Sequence, residues 1–322
     1  MLDNKNILIT GGTGSFGQNA TEFLLSKSKV KKIIIFSRDE NKQFEMQNKF
    51  KDKRLRFFLG DVRDQSRIEL ALNEVDLLIH AAALKHVPAA EYNPFEFIKT
   101  NVYGAENVIA ASLSRKVKKV LMLSTDKACN PINLYGATKL CSEKLFVNAN
   151  NYSGSKGTLF GVVRYGNVIS SRGSVIPLFK NLIKNGQKEL PLTHKDMTRF
   201  FITLPEAIKF IFNCFNLLKG GEIFIPKMKS IHIHDLIKLI DRKIKIKVTG
   251  IRPGEKIHET LCSQDESNNI HENKNFYTIY PPHHFLPKFK SGKKVKKDFV
   301  YASNIKSNFF KTSEFKDIIK KY

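Results

Sequence analysis

A chain of 322 residues with 42% hydrophobic content can bury a full core, which excludes a disordered or fibrous protein and allows one large domain or two of ordinary size. Its formal net charge of +24 points to an anionic partner, whether nucleic acid, a lipid surface or a phosphate-bearing small substrate. Lys288, Lys290, Lys293, Lys294, Lys296 and Lys297 concentrate charge near the end, where such a run reads as a solvated surface; a nucleic-acid partner is not expected, and a phosphorylated substrate accounts for the sign equally well. Cys129, Cys141, Cys214 and Cys262 have neither metal-ligand spacing nor the look of a disulfide framework, so reduced thiols in a cytoplasm are expected. His232, His234, His283 and His284 lack acidic or cysteine partners at useful spacing, and no metal is expected.

The first apolar run, Ile7 to Thr10, is too short for a signal-peptide core or a membrane span, and no later run approaches membrane length. Short β-branched or aromatic runs at Ile7–Thr10, Ile33–Phe36, Arg56–Leu59, Leu77–His80, Val120–Ser124 and Gly161–Arg164 alternate with helical patterns. That alternation predicts an α/β fold with a Rossmann-type doubly wound parallel sheet over residues 1–166, ligands lying at the carboxyl ends of the strands. Beyond Asn167 the pattern loosens, with Pro177, Pro191, Pro205 and Pro226 as punctuation, and residues 167–290 are expected to form a smaller substrate lobe. A strand near 222–226 returns to the sheet, and the basic segment 291–322 is expected to wrap the surface or fray in part.

The motifs follow the strands. Thr10 to Gly17 links the first strand to a helix with glycines at positions 11, 14 and 17, a looser spacing than Gly-x-Gly-x-x-Gly. It sets Gly11, Thr13, Gly14, Ser15, Phe16 and Gly17 against a dinucleotide whose pyrophosphate meets the helix N-terminus. At the second strand end, Ser37 and Arg38 suit a ribose phosphate and hence NADP, although Asp39 or Glu40 could serve the unphosphorylated ribose. Asp61 offers a carboxylate to the adenine amino group with Val62 packed on the ring, and Asp61 could equally be a helix cap. Ala81, Ala82 and Ala83 let a cofactor lie flat, after which Lys85 and His86 enter the cleft, Lys85 near phosphate or sugar or else as a solvated surface lysine.

Tyr135 and Lys139 are one helical turn apart on a shared face, so the ammonium can lower the phenol pKa and make Tyr135 a proton acceptor for alcohol oxidation. Just upstream, Asp126 and Lys127 suit removal of a carbon-bound proton together with protonation of a departing hydroxyl. Alternatively the pair is a surface ion pair at a strand end and Tyr135 a core aromatic with a wet tip.

Together these motifs resemble the extended short-chain dehydrogenase/reductase family over nearly the whole chain. Ser124 to Lys127, Asn130 to Lys139 and Arg252-Pro253-Gly254-Glu255-Lys256 are similar to the inverting UDP-N-acetylglucosamine 4,6-dehydratases that begin pseudaminic acid synthesis, a route tied to flagellin glycosylation. Epimerases of the family carry Ser or Thr in place of the acid and base; the large retaining dehydratases bear membrane spans and commonly lack the tyrosine. The resemblance implies UDP-N-acetylglucosamine as substrate, bound NADP and a homo-oligomer. It also implies that Tyr135 takes the carbon 4 hydroxyl proton, that a neutral Lys127 abstracts the carbon 5 proton, and that protonated Asp126 helps hydroxide leave carbon 6. Reprotonation from the opposite face then yields UDP-2-acetamido-2,6-dideoxy-β-L-arabino-hex-4-ulose.

Further along, Asn167 has donors for a sugar or its diphosphate, beside Val168 at the cofactor and Arg172 as another cation. Thr198 and Arg199, with Arg252 and Glu255, supply substrate contacts centred on bidentate phosphate binding, and Phe200 is placed beside the uracil. The rivals are an epimerase or ketoreductase or a retaining dehydratase on the same fold, and, from another class, a basic cofactor-binding regulatory or nucleic-acid-binding protein. Asp126 and Lys127 argue against an epimerase or ketoreductase, and an intact Tyr135 and Lys139 against the other class.

Overall fold

The computed structural model describes residues 2–154, 157–169, 174–282 and 290–321. Six strands form the expected first half: β1 (Asn6–Thr10), β2 (Lys32–Ser37), β3 (Leu55–Leu59), β4 (Leu77–His80), β5 (Lys119–Thr125) and β6 (Leu159–Tyr165). Helices α1 (Ser15–Lys27), α2 (Glu40–Phe50), α3 (Gln65–Ala71), α4 (Val87–Tyr92), α5 (Pro94–Phe97), α6 (Gly104–Ser114) and α7 (Leu134–Asn148) connect them. The second half contributes β7 (Asn167–Val168), α8 (Val175–Lys184), β8 (Glu189–Leu192), β9 (Thr198–Ile202), α9 (Leu204–Leu217), β10 (Ile223–Pro226), β11 (Lys229–His232), α10 (Ile233–Ile240), β12 (Lys245–Val248), β13 (Thr260–Cys262), β14 (Ile270–Glu272), β15 (Phe276–Ile279), β16 (Lys293–Lys294), β17 (Tyr301–Ala302) and α11 (Thr312–Lys321).

Among the described residues the main sheet runs β3-β2-β1-β4-β5-β6-β10-β15-β14-β16. Its strands from β3 to β10 are parallel, and β15, β14 and β16 add antiparallel. The runs Ile7–Thr10 and Ile33–Phe36 are buried along their whole length because helices cover both faces, which makes continuous apolar strands the stable choice. Strand order reverses at β1, between β2 and β4, and a cleft opens there beyond the strand ends.

The lobe has its own core, in which Ile176 and Phe179 of α8 meet Leu190 and Leu192 of β8 and Leu236 and Ile237 of α10. It is not a contiguous second half: β10, β14 and β15 return to the main sheet. The segment from 291 onward does more than wrap the surface. Its β16 extends the sheet, β17 pairs with β13, and α11 drives Phe315 and Ile319 into the lobe core. Among the described residues no helix is long and apolar enough to cross a membrane, and no group of three or more potential ligands could hold a metal.

Candidate active site

The cleft is a cavity of about 960 Å³ between the strand ends and the lobe. Its floor begins at the turn after β1. Gly11 has φ of +64°, and a Cβ there would stand 2.9 Å from Ala82 Cα, so only glycine lets the two strand-end turns touch. Gly14 caps α1 through its backbone alone, leaving the helix N-terminus open beside Thr13, Ser15 and Phe16 on the cleft wall. Gly17 is the exception among the glycines expected at the cofactor. It lies off the cleft, where a Cβ would come 2.2 Å from the Gly12 carbonyl oxygen, and its part is to seat α1 on the turn.

At the β2 end of the cleft, Thr13 Oγ1 and Ser37 Oγ are 2.7 Å apart, and Ser37 Oγ accepts the Asp39 N–H. Asp39 turns its carboxylate to the start of α2, accepting the Lys42 N–H at 3.0 Å, while Arg38 stays more than half exposed 3.5 Å from Asp61. Burial of Asp61 is outweighed by its bonds to Arg63, so its carboxyl sits below the ordinary range. Val62 is buried, and Asn107 holds its carbonyl. The Ala81 and Ala82 N–H groups donate to Thr10 Oγ1, which also meets His80 Nδ1 at 2.9 Å. Burial, aided by Lys139, pushes His80 down to about 3, so this imidazole is a neutral structural link.

The chemistry gathers after β5. A short turn over Asp126–Ala128 carries Asp126, which is fully buried, and Lys127, whose Nζ is 3.0 Å from Asp126 Oδ1 and 3.3 Å from Glu259 Oε1. Asp126 Oδ2 is buried with no hydrogen-bond partner. Helix α7 packs directly on that turn, since a Cβ on Gly136 would lie 2.2 Å from the Lys127 carbonyl oxygen. The helix thereby presents Tyr135 and Lys139 to the same cleft. Asn133 caps α7 by accepting the Gly136 N–H, and Glu143, one turn beyond Lys139, pairs with the fully buried Arg164 at 2.6 Å. Arg164 also holds Glu266 and the Leu261 carbonyl, joining the catalytic helix, β6 and the lobe in one satisfied network.

Two expectations about charge need correction. Lys127 is not favoured as a neutral amine: burial opposes its charge, but Asp126 and Glu259 outweigh burial and push its pKa up. Nor is the Tyr135 phenol lowered on balance. Burial pushes that phenol up to about 12, with Lys127 and a hydrogen bond from Thr125 pulling back. Lys139 itself is pushed down to about 8 by burial, opposed by Glu143.

The expected substrate contacts divide. Lys85, its pKa lowered by burial and then by Lys127, lines the cleft with Asn167 and Val168. Arg199 does not reach it: the guanidinium is 7% exposed and donates to the carbonyls of Thr198, Ile257 and Lys256. Thr198 is fully buried against His258 and Ser303, and Phe200 lies in the core against Tyr301, not at a base-binding surface. All five residues of β9 are buried, so both of its faces are covered by the protein itself, and Thr198, Arg199 and Phe200 are absent from the cleft wall that Phe201 lines. Arg252 is exposed, with its N–H bonded to Glu255, and Arg172 lies outside the described residues.

Three participants escaped the sequence reading. Asn101, in a π-helical turn over Ile98–Tyr103, grips both backbone groups of Leu84 and donates to Thr138 on the catalytic helix. Tyr165 adds a second buried phenol to the cleft. Glu259 lies far from Lys127 in sequence, and only its place after Arg252–Lys256 could have drawn attention to it.

The residues present fit a nicotinamide dinucleotide, on the evidence of the backbone cradle at Gly11 and Ala82 and the open end of α1. Fold and cleft together define an extended short-chain dehydrogenase/reductase. Residues 7–281 match the family of polysaccharide biosynthesis proteins, and the chain belongs to it. It is 53% identical to the UDP-N-acetylglucosamine 4,6-dehydratase (inverting) of Campylobacter jejuni, across 99% of this chain and 98% of that protein. It is 44% identical to the UDP-glucose 4-epimerase of Rickettsia massiliae, across 87% and 84%. Among solved structures, Pen from Bacillus thuringiensis aligns with a TM-score of 0.92 at 39% identity, over 100% of this chain and 98% of that one. The dTDP-glucose 4,6-dehydratase DesIV from Streptomyces venezuelae, with NAD bound, gives 0.69 at 22% identity, over 78% and 86%, a likeness of fold.

Proposed function

We propose that the chain is a cytoplasmic, NADP-dependent UDP-N-acetylglucosamine 4,6-dehydratase that inverts carbon 5, works as a homo-oligomer and feeds pseudaminic acid synthesis. The observation that carries this reading is the pairing of a buried Asp126 with a half-buried Lys127 in the wall of the cleft, beside Tyr135. An epimerase has no use for an acid and an amine placed to act on carbons 5 and 6. The 53% identity to the Campylobacter jejuni enzyme over nearly all of both chains supports the same choice.

NADP is favoured over NAD because Ser37, Arg38 and Lys42 line the cleft near the end of β2, and Asp39, which lines it too, has its carboxylate engaged by the Lys42 N–H and ammonium at the start of α2. A nicotinamide held against Gly11, Ala82 and the open end of α1 would supply the hydride acceptor for oxidation at carbon 4 and the hydride donor for reduction at carbon 6. Tyr135 carries its proton at rest; once that proton has passed to solvent through the cleft, the phenolate, a form that the Lys127 ammonium and Thr125 favour, takes the carbon 4 hydroxyl proton. The resulting ketone acidifies the carbon 5 proton.

Lys127 becomes a base by passing one proton across its 3.0 Å contact to Asp126, which turns ammonium and carboxylate into amine and carboxylic acid at no change in proton count. The amine then takes the carbon 5 proton, and Asp126 gives its proton to the departing carbon 6 hydroxyl, which leaves as water. Both groups end as they began. Among the described residues Arg252, exposed and free of the carbonyl bonds that hold Arg199, is the arginine favoured for the pyrophosphate; Glu255 steadies its loop, and Lys85 and Asn167 line the cleft at the sugar end.

Purified protein incubated with UDP-N-acetylglucosamine and no added cofactor should give a nucleotide sugar one water lighter with a ketone at carbon 4. A product of unchanged mass epimerised at carbon 4 would replace this reading with that of an epimerase.

A further inference from the structure

We propose that Glu259 is a positioning residue of the elimination, the lobe's counter-ion that balances Lys127 at the moment Asp126 is neutral. This deepens the dehydratase reading and rests on it. Glu259 stands just before β13, and its backbone is fixed on both sides by Ser303: the Glu259 N–H donates to Ser303 Oγ at 2.9 Å and the Ser303 N–H to the Glu259 carbonyl at 2.8 Å. The side chain is 2% exposed. Its Oε1 lies 3.3 Å from Lys127 Nζ and 3.8 Å from Arg199 Nε, and its Oε2 makes no hydrogen bond, with Lys256 Nζ at 3.9 Å.

The charged or ionisable groups acting on Lys127 or on the groups beside it include Asp126, Glu259, Arg199, Lys85 and Tyr135, with Lys256 beside Glu259 and Glu255 beside Arg199. Of the two carboxylates, Asp126 is committed to holding the proton that leaves with the carbon 6 hydroxyl. Once Lys127 has taken the carbon 5 proton, and before Asp126 has given up its own, the C–H electron pair lies in an enolate and a new ammonium lies half-buried in the cleft wall. An ammonium partly withdrawn from water and left unpaired is costly, and Glu259, itself buried, is the carboxylate in place to pair it. Arg199 Nε and Lys256 Nζ, 3.8 and 3.9 Å away, remain as cationic neighbours of the Glu259 carboxylate when Lys127 is neutral. The proton balance closes without Glu259 gaining or losing one: carbon 5 gives a proton to Lys127, Asp126 gives one to the leaving oxygen, and water departs with the C–O pair.

This arrangement also ties loading of the base to docking of the lobe. Lys256 Nζ donates to the Cys129 carbonyl at 2.7 Å, and Arg199 bonds the carbonyls of Lys256 and Ile257, so the strand leading to Glu259 is clamped over the turn that carries Asp126 and Lys127.

The test compares Glu259→Gln, which removes the charge and keeps the shape, with Glu259→Asp, which keeps the charge one methylene further back. Cofactor content, UDP affinity, reduced-nicotinamide absorbance on mixing with UDP-N-acetylglucosamine, and deuterium entry at carbon 5 are read for each. The Gln variant should retain cofactor and UDP affinity, accumulate reduced nicotinamide, and lose roughly 10- to 100-fold in both carbon 5 exchange and kcat. The Asp variant should recover part of that loss. Wild-type turnover in Glu259→Gln would overturn the proposal, and so would a variant that loses cofactor and UDP binding in step with kcat, since that marks a mere prop. Should Glu259→Gln not fold, the same split must appear, smaller, in Glu259→Asp, and its absence there would overturn the proposal as well. Failure of the wild-type protein to dehydrate the sugar is a separate outcome, and it defeats the dehydratase reading itself.

Discussion

The amide nitrogen of Asn133 donates to the carbonyl oxygen of Gly254 at 2.7 Å, while the oxygen of the same side chain accepts the Gly136 N–H and caps the catalytic helix. One residue thus starts the helix of Tyr135 and ties it to the loop that bears Arg252. The two duties can be separated. Asn133→Asp keeps the cap and loses the donor, so stability should stay near wild type while KM for the UDP-sugar rises. Asn133→Ala loses both and should also cost about 1–2 kcal/mol in denaturant unfolding. Equal KM values for Asn133→Asp and wild type would show that the tie to Gly254 has no part in substrate binding.

Lys139 gives a pH signature of unusual sign. With its pKa lowered from 10.5 to about 8 by burial, it is charged in the folded protein below about pH 8 and neutral above. Activity that needs its ammonium should therefore fall as pH rises through about 8. Stability runs the other way: between about 8 and 10.5 the unfolded chain binds the proton and the folded chain does not, so this group's contribution to stability rises with pH across that window. A kcat/KM profile for Lys139→Arg should lose this limb, because a guanidinium stays charged throughout. A limb that persists near pH 8 in the arginine variant must belong to another group.

The cofactor assignment is open to a direct measurement. Denatured protein should release NADP at close to one equivalent, because oxidation and reduction close within each turnover. Arg38→Ala should weaken NADP while leaving NAD affinity nearly unchanged, by about 1–2 kcal/mol for one charge-assisted phosphate contact at an exposed site. Release of NAD as the main nucleotide would move the specificity to the acidic side of the β2 turn.

The two arginines read as equivalents in the sequence should behave differently. Arg199→Ala removes a buried guanidinium from three carbonyls and from the neighbourhood of Glu259, and should cost about 3 kcal/mol or more of stability. Arg252→Ala, at an exposed position, should leave stability unchanged and raise KM with little change in kcat if its contact is equally strong in ground and transition states. UDP affinity unaltered in Arg252→Ala would place the pyrophosphate elsewhere.

What could be read in the sequence was what local rules determine. The six strands of the first half appear where apolar runs and turn residues place them, and the cleft collects Gly11, Gly14, Ser37, Asp61, Ala82 and Lys85 because each directly follows a parallel strand. Strand register and long-range pairing were not legible. Thr198 and Arg199 were expected at the substrate and Phe200 beside the uracil, yet on β9 all three are buried and engaged within the protein. Protonation was equally hidden: Lys127 depends on Glu259, a neighbour that no spacing rule connects to it.

The stereochemical outcome at carbon 5 is the most exposed claim. Lys127, on the turn after β5, and Tyr135, on α7, line one cleft from different elements, so a planar enolate held between them can lose its proton to one and regain a proton from the other. Tyr135 is the stronger candidate donor for the return step, since burial keeps its phenol protonated up to about pH 12 once it has taken the carbon 4 proton. In deuterated water the earliest product should therefore carry deuterium at carbon 5 in the L-arabino configuration, and its rate of appearance should scale with enzyme concentration. Tyr135→Phe blocks the oxidation as well, so the configuration must be read on the wild-type enzyme at the first turnovers. Early product in the D-xylo configuration, converting later at a rate independent of enzyme concentration, would mean that Lys127 returns the proton to the face it came from and that inversion is spontaneous epimerisation in solution.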